Sequence, residues 1–313
     1  MPLISIVIPY YNRAGFLTKT LQSIVASDYR PLELLLVNNA STDDSENVAR
    51  NFFQGRPADN IIVRYLSEER SGAAAARNCG LREATGEMVY FFDSDDELSS
   101  DFFSWAVSVM KKTKADIVGA PTRMVWPDGR EKVRAYTRRP TLAAQILTGQ
   151  LATQSLFYRT AWLRRQGGWN AALRFWDDWE LGIRVLLSRP RLVWDARRVF
   201  HRLLQHDDSL TGPSLSASYA PLQTTLNSVE SLLRSEASLS SHDRQRALRA
   251  LACREAIVAG TLHAEGHDEG ARSCLQRAYS VLPEKSYRWF LRLIYTYTRH
   301  GGRAAWRIAR WLC

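Results

Sequence analysis

Through the first hundred residues of this 313-residue chain, short apolar runs alternate with segments of helical periodicity. The runs are ISIVIPYY, PLELLLVNNA, IIVRYL and EMVYFFD. Each is brief, continuous, rich in β-branched or aromatic residues and bounded by turn residues, the pattern of a buried strand. Between them, AGFLTKTLQSIVAS sets Phe16, Leu17, Thr20, Leu21 and Ile24 at helical spacing. STDDSENVARNFF opens on Ser and Asp, as a capped helix does. SGAAAARNCGLREAT is helix-forming after a glycine entry, with Gly86 as its stop. Strand then helix, repeated from the first residue, predicts an α/β chain with a mostly parallel sheet and helices on both faces.

After residue 100 the pattern loosens. Phe102 to Lys112 reads as a helix and ADIVGAP as a strand, and two alternating runs around Pro127-Asp128-Gly129 signal a hairpin. TLAAQILTGQL and WELGIRVLLSR read as helices, the second ending before Pro190, and RLVWD as a strand, while FYRTAWLRRQGGW turns at Gly167-Gly168. From Ser214 the chain reads as helical to its end, with polar joints at 234–243 and 264–270. The expected organisation is therefore an α/β domain over 1–213 and a helical region over 214–313.

With 45% hydrophobic and 24% charged residues, the chain has the make-up of a folded protein rather than a disordered one. Cys79, Cys253, Cys274 and Cys313 form no CxxC pair and no metal-ligand spacing, which points to a reducing compartment. MPLISIVIPYYN lacks the basic and apolar regions of a signal peptide, and no stretch approaches the ~20 apolar residues of a membrane span. The expected place is the cytoplasm, peripheral on the inner face of the membrane. The net charge of +10 arises wholly after residue 100, which directs an acidic partner to the later part of the chain.

The fourth apolar run ends in FFDSDDE, crowding Asp93, Asp95, Asp96 and Glu97 together. Like charges this close repel, so they either cap a helix on a solvated loop or receive a cation. In an open α/β sheet ligands bind beyond the carboxyl ends of the strands, where this cluster lies. In an extended segment Asp93 and Asp95, two apart, point to one side and offer oxygen ligands to a hard divalent cation.

With these segments in order, the chain resembles the family 2 glycosyltransferases, which have the GT-A fold. ISIVIPYYNR, ELLLVNNASTD, RSGAAAARNCGLREATGEMVYFFDSDD, GGWNAALRFWDDWELGIR and HRLLQHDDSLTG carry the resemblance, which covers residues 3 to 212. It implies a nucleoside diphosphate sugar donor (a UDP-sugar by preference), a Mg²⁺ or Mn²⁺ ion, and inverting transfer to a hydroxyl of a glycan or lipid-linked acceptor in polysaccharide or glycoconjugate synthesis. It assigns Asp93, Asp95 and His206 to the metal, with His201 a weaker candidate for the His206 role, and Asp96 to completing the loop. It places Pro9, Tyr10, Tyr11, Asn12, Asn38, Arg77, Asn78, Asp93 and Ser94 around the nucleotide, with Tyr10 or Tyr11 stacking on the base.

Two of these positions depart from the family pattern. Asn38 stands where the family most often has Asp, which changes an acceptor into a group that also donates. In FWDDWE, Asp177 replaces the usual Glu and Asp178 aligns with the catalytic base; Asp177 and Glu180 are the neighbouring carboxylates, and all three also suit a helix start. Trp176 and Trp179 read either as a sugar platform or as core anchors, Arg77 either as a nucleotide contact or as a partner of the acidic loop, and Asp43 as the cap of the helix after it.

The last segment, residues 285–311, holds six arginines and Lys285 with no acid. On a helical wheel Arg303, Arg307 and Arg310 share one stripe, and Ile308, Trp311 and Leu312 another. That is the make-up of a helix at an anionic membrane surface, or of a packed helix with a solvated basic face. Two rival functions are a sugar-nucleotide nucleotidyltransferase, which needs a phosphate-cradling glycine loop that IPYYNRAG does not provide, and a non-catalytic membrane or nucleic-acid binding module, against which the two separate acidic sites speak. No GxGxxG follows the first strand, as a dinucleotide oxidoreductase would require, and no nucleic-acid partner is expected.

Overall fold

The computed structural model describes residues 1–55, 60–134, 140–206 and 214–311. In chain order its elements are β1 (Ile4–Tyr10), α1 (Ala14–Val25), β2 (Leu32–Asn38), α2 (Ser45–Phe53), β3 (Ile61–Ser67), α3 (Ala73–Glu83), β4 (Met88–Phe91), β5 (Glu97–Leu98), α4 (Phe102–Thr113), β6 (Ile117–Gly119), β7 (Thr122–Val125) and β8 (Glu131–Arg134). There follow α5 (Leu142–Thr148), β9 (Leu156–Arg159), α6 (Thr160–Arg165), α7 (Asp177–Leu187), β10 (Leu192–Trp194), β11 (His201–Leu204), α8 (Tyr219–Ser235), α9 (Ser241–Ala264), α10 (Asp268–Val281), α11 (Lys285–Arg299) and α12 (Trp306–Ala309).

Two compact units form. One holds Met1–Arg139, Leu151–Arg174 and Arg189–Asp207; the other holds Pro140–Gln150, Phe175–Ser188 and Asp208–Cys313. The cut expected after residue 213 lies at the edge of the undescribed segment 207–213. The division is also not contiguous, because α5 and α7 join the C-terminal helices instead of the sheet.

In the first unit a seven-stranded sheet runs β10-β6-β9-β4-β1-β2-β3. β1 lies between β2 and β4 and is parallel to both, pairing Tyr10 with Asn38 and Ile4 with Met88. β9 enters antiparallel between β4 and β6. Alternate residues of β1 explain why both faces are covered. Ile4, Ile6 and Ile8 join Leu17, Leu21 and Ile24 of α1 in the core. Val7 points the other way, so close to α3 that a Cβ on Gly80 would meet its side chain at 2.3 Å. A second sheet, β5-β11-β7-β8, contains the expected hairpin, with Thr122 opposite Arg134 and the turn closed through Gly129 at φ +81°.

Near the amino ends of the parallel strands, Glu33 of β2 is buried. It accepts from Ser5 Oγ, from Thr85 N at 2.8 Å, from Thr85 Oγ1 at 3.0 Å and from Arg64 at 3.3 Å. Burial pushes its pKa up, and these donors together outweigh burial and hold the carboxyl below its usual range.

The second unit is built around α9. Its Ala247, Ala250, Ala256 and Ala259, with Ala271 and Ala278 of α10, are small enough to let helices approach closely. Leu222 and Leu226 of α8 and Ile146, Trp179 and Ile183 of α5 and α7 fill the same core. Trp179 Nε1 donates to the carbonyls of Gln145 and Ile146 at 3.0 Å, so this ring is a core anchor. α11 ends where Gly301, at φ +77°, lets Gly302 N bond Tyr297 O at 3.0 Å. Arg303 therefore lies outside any helix and α12 is four residues long, so the expected stripe of Arg303, Arg307 and Arg310 does not form. Leu312 lies outside the described residues. Among the described residues no helix is long and apolar enough to cross a membrane.

Candidate active site

Because β1, β2 and β4 are parallel neighbours, the loops after their carboxyl ends meet at one edge of the sheet. Asn12 holds two of these loops together. At φ +50°, a conformation Asn tolerates, its Oδ1 accepts from Thr42 N at 2.8 Å and Asp43 N at 3.3 Å. Asp43 answers from the other loop, accepting from Ala14 N at 3.1 Å and from Ser45 N at 3.0 Å, and so serves the starts of both α1 and α2. Burial raises the Asp43 pKa, but the Ser45 hydroxyl, with the Ala14 and Ser45 amides, prevails and lowers it. Asn38 is used in the same way. Its Oδ1 accepts from Ser41 N at 2.9 Å and its Nδ2 donates to Glu46 at 2.8 Å, so its amide closes the loop.

Pro9 is buried in β1 opposite Val37. Tyr10 is a correction to the sequence reading. It is the last residue of β1, belongs to the core and is 2% exposed, and burial pushes its hydroxyl up to about 12. The ring available at this edge is Tyr11, 52% exposed.

The acidic loop is not extended. Asp96 N bonds Asp93 O at 3.4 Å, which curls Asp93–Asp96 into a turn and sends Asp93 and Asp95 to different partners. Asp93 accepts from Arg77 at 3.0 Å and from Gln154 Nε2. Asp95 accepts from Arg13 Nε at 3.2 Å and meets His206 Nε2 at 2.9 Å. The His206 ring stacks on Phe16 at 4.5 Å. Ser94 is buried in the same turn. Thus the expected trio of Asp93, Asp95 and His206 is brought together only as the Asp95–His206 pair. Among the described residues no group of three or more His, Cys, Asp or Glu side chains converges on a single metal position. A carboxylate beside an imidazole still suits a divalent ion such as Mn²⁺.

Asp96 is buried and accepts from Leu204 N at 3.0 Å. Burial, then the charges of Asp93 and Asp95, push it well above the usual carboxylate range, against the pull of the Leu204 amide. Its Oδ2 faces Nε2 of buried His201 at 3.4 Å, and burial pushes His201 down to about 3. Burial thus disfavours the charged form of both groups. Tyr90 spends its one hydroxyl proton on Gln154 O at 2.8 Å, so His201 Nδ1–H donates to the Tyr90 oxygen, while His201 Nε2, facing Asp96, makes no hydrogen bond. His201 is thus committed inside the fold and is no candidate for the His206 role.

Asn78 of α3 is engaged within the fold. Its Nδ2 donates to Trp169 O at 2.7 Å and its Oδ1 accepts from Trp169 N at 2.9 Å, so the amide clamps the backbone after Gly167-Gly168 onto α3. Gly168, at φ +66°, fits because a Cβ there would meet Asn78 Oδ1 at 2.4 Å. The Arg77 guanidinium lies 5.7 Å over the Trp169 ring. Gln154 and Arg13 are the residues that sequence reasoning missed. Arg13 was signalled only by its place after Asn12 in the first loop, and nothing in TQS distinguishes Gln154.

Asp177 and Asp178 occupy the first turn of α7 in the helical unit, both half-buried. They follow Trp176, whose φ of +55° is unusual for a bulky residue and whose ring carries Arg254 at 4.2 Å. Glu180 is buried and paired with Arg184 at 2.8 Å, which leaves Asp177 and Asp178 as the carboxylates not in that pair.

Across 99% of this chain and 91% of the other, the fold is similar to Staphylococcus aureus TarS solved with UDP-GlcNAc, with a TM-score of 0.74 at 19% identity. It is also similar to the mannosyltransferase PcManGT of Pyrobaculum calidifontis, solved with GDP-Man and Mn²⁺, with a TM-score of 0.54 at 20% identity over 99% and 86% of the two chains. The fold is GT-A. Among curated relatives, a Campylobacter jejuni GalNAc(5)-diNAcBac-PP-undecaprenol beta-1,3-glucosyltransferase is 32% identical over 120 residues, 38% of either chain. The matches span from 16% to about half (52%) of the length of the first curated relatives. The model of the family described as glycosyl transferase family 2 matches residues 5–176, more than half of the sequence and the whole stretch from β1 to the acidic turn and beyond, so the chain belongs to that family.

Proposed function

We propose that this chain is an inverting, metal-dependent glycosyltransferase that moves a sugar from a UDP-sugar to a hydroxyl of a glycan or lipid-linked acceptor. The observation that carries the reading is the acidic turn after β4, with Asp93 and Asp95 each held by an arginine at the carboxyl edge of the sheet, in a chain of this family. The TarS complex with UDP-GlcNAc supports the uridine donor, the PcManGT complex supports Mn²⁺, and the C. jejuni relative supports a lipid-linked acceptor.

In this reading Asp95 and His206 hold Mg²⁺ or Mn²⁺, which when bound supplies Lewis-acid neutralisation of the charge developing on the leaving diphosphate. Arg13 beside Asp95 and Arg77 beside Asp93 add fixed positive charge to the same turn. Tyr11, Asn12 and Ser94 form the nucleotide side. Asp178, assigned from the sequence resemblance, takes the proton of the acceptor hydroxyl. An anionic membrane surface, met through the C-terminal helices, completes the partners.

The test is hydrolysis and transfer from a panel of nucleoside diphosphate sugars with Mg²⁺ or Mn²⁺. Turnover of a UDP-sugar is expected, and folded protein that turns over no donor rejects the reading. Asp178→Asn should lower transfer ~10²–10⁴-fold with donor affinity unchanged. Wild-type turnover in that variant would return the role to Asp177.

A further inference from the structure

α11 buries Leu291, Ile294 and Thr298 against its own unit and leaves large apolar side chains on its other side. Trp289 is 65% exposed, Leu293 47% and Tyr297 41%. Set four residues apart, they form a row within about 80° of helix arc. Lys285, Arg288 and Arg292, all exposed, run along the flank of that row. From Lys285 to Trp311 there is no acid, and Trp311 is 90% exposed.

We propose that this face of α11 docks on an anionic lipid bilayer, with Trp289, Leu293 and Tyr297 entering the headgroup layer and Lys285, Arg288 and Arg292 meeting lipid phosphates. Such an apolar row beside a row of bases suits an interface in which aromatic rings sit at headgroup level and cations lie towards anionic lipid. A second copy of the chain fits poorly, because two such faces would oppose the bases of one to the bases of the other, with Glu284 only at the N-cap end of α11. This deepens the membrane part of the proposed function and rests on it only for the presence of a membrane. Vesicle binding is read without donor, so either proposal can fail alone.

The experiment is co-sedimentation of the full chain with phosphatidylcholine vesicles, with and without phosphatidylglycerol, alongside hydrolysis of free donor. Wild type should bind the mixed vesicles and release as salt screens the surface charge over ~8 Å at physiological ionic strength. A Trp289→Ser/Leu293→Ser/Tyr297→Ser variant should lose binding at least about tenfold. Arg288→Gln/Arg292→Gln should lose about fivefold for each base removed. Both variants should keep wild-type hydrolysis. If the apolar variant fails to fold, the arginine pair decides. No binding by wild type, equal binding by wild type and variants, or dimerisation or nucleic-acid binding through this face in place of vesicle binding overturns the proposal.

Discussion

Glu33 and Asp96 are carboxylic acids of almost equal solvent exposure, 1% and 4%, at opposite ends of the parallel strands, and their pKa values move in opposite directions. Glu33 receives hydrogen bonds from two hydroxyls, a backbone amide and a guanidinium. Asp96 receives one backbone amide and lies beside Asp93 and Asp95. Asp96 lies deeper in the protein than Glu33, and it also has fewer donors and like-charged neighbours; depth, donors and neighbouring sign together set the direction of each shift. The amino end of the sheet uses its buried carboxylate to join β1, β2, β3 and the α3–β4 loop. At the carboxyl end, burial and like-charged neighbours push Asp96 up, while Asp93 and Asp95 lie beside Arg77 and Arg13.

The comparison is broken most severely at Glu33. Glu33→Ala leaves Ser5 Oγ, Thr85 N and Thr85 Oγ1 without this acceptor, while Arg64 keeps its bonds to Glu83, and should destabilise the fold by about 3–5 kcal/mol in chemical denaturation. A change within about 0.5 kcal/mol would show that the network contributes little. Next in size is Asp95→Ala. It should leave thermal unfolding nearly unchanged and reduce metal-dependent donor turnover ~10²–10³-fold, since it removes electrostatic stabilisation from the site. Calorimetry finding Mn²⁺-supported donor affinity equal to wild type would remove Asp95 from the metal role.

A third carboxylate extends the comparison to the helical unit. Glu255 of α9 is fully buried beside Arg277 at 3.0 Å, and Arg277 also reaches Glu230 at 3.2 Å. Burial pushes Glu255 from 4.5 up to about 7; Arg277 opposes this and Glu230 adds to it. The native state therefore holds a proton that the unfolded chain releases near pH 4.5. Its contribution is fully present below that pH and is lost as pH rises through about 7, a change of about 3 kcal/mol. Glu255→Gln should flatten this slope in denaturation curves measured across that window, and an unchanged slope would assign it to other groups. The smallest effect is expected at Asp96→Asn. The amide keeps the shape of the uncharged acid and still accepts from Leu204 N, so stability should change by no more than about 1 kcal/mol. A much larger loss would mean that Asp96 is ionised in the native protein.

Local pattern was enough for the strands β1 to β4, the helices between them and the hairpin at Pro127–Gly129, because strand, helix and turn each write their period within a few residues. The acidic loop was legible for the same reason, as was the helical character of the C-terminal region. What the loop does with its charges was not, since the turn at Asp93–Asp96 separates carboxylates that an extended chain would have paired. Tyr10 and Tyr11 look interchangeable in sequence, and the point at which β1 stops decides which ring is buried.

Other features belonged to tertiary structure alone. β9 inserts antiparallel between β4 and β6, α5 and α7 join the C-terminal helices, Gln154 reaches Asp93 across 61 positions, and Asn78 spends its amide on Trp169 across 91. The exposed row on α11 appears only once packing has chosen which side of that helix to bury. The physical reason is common to all of them. Periodicity records which residues prefer to leave water, whereas strand neighbours, hydrogen-bond partners and the face left bare depend on which distant segment arrives to cover them.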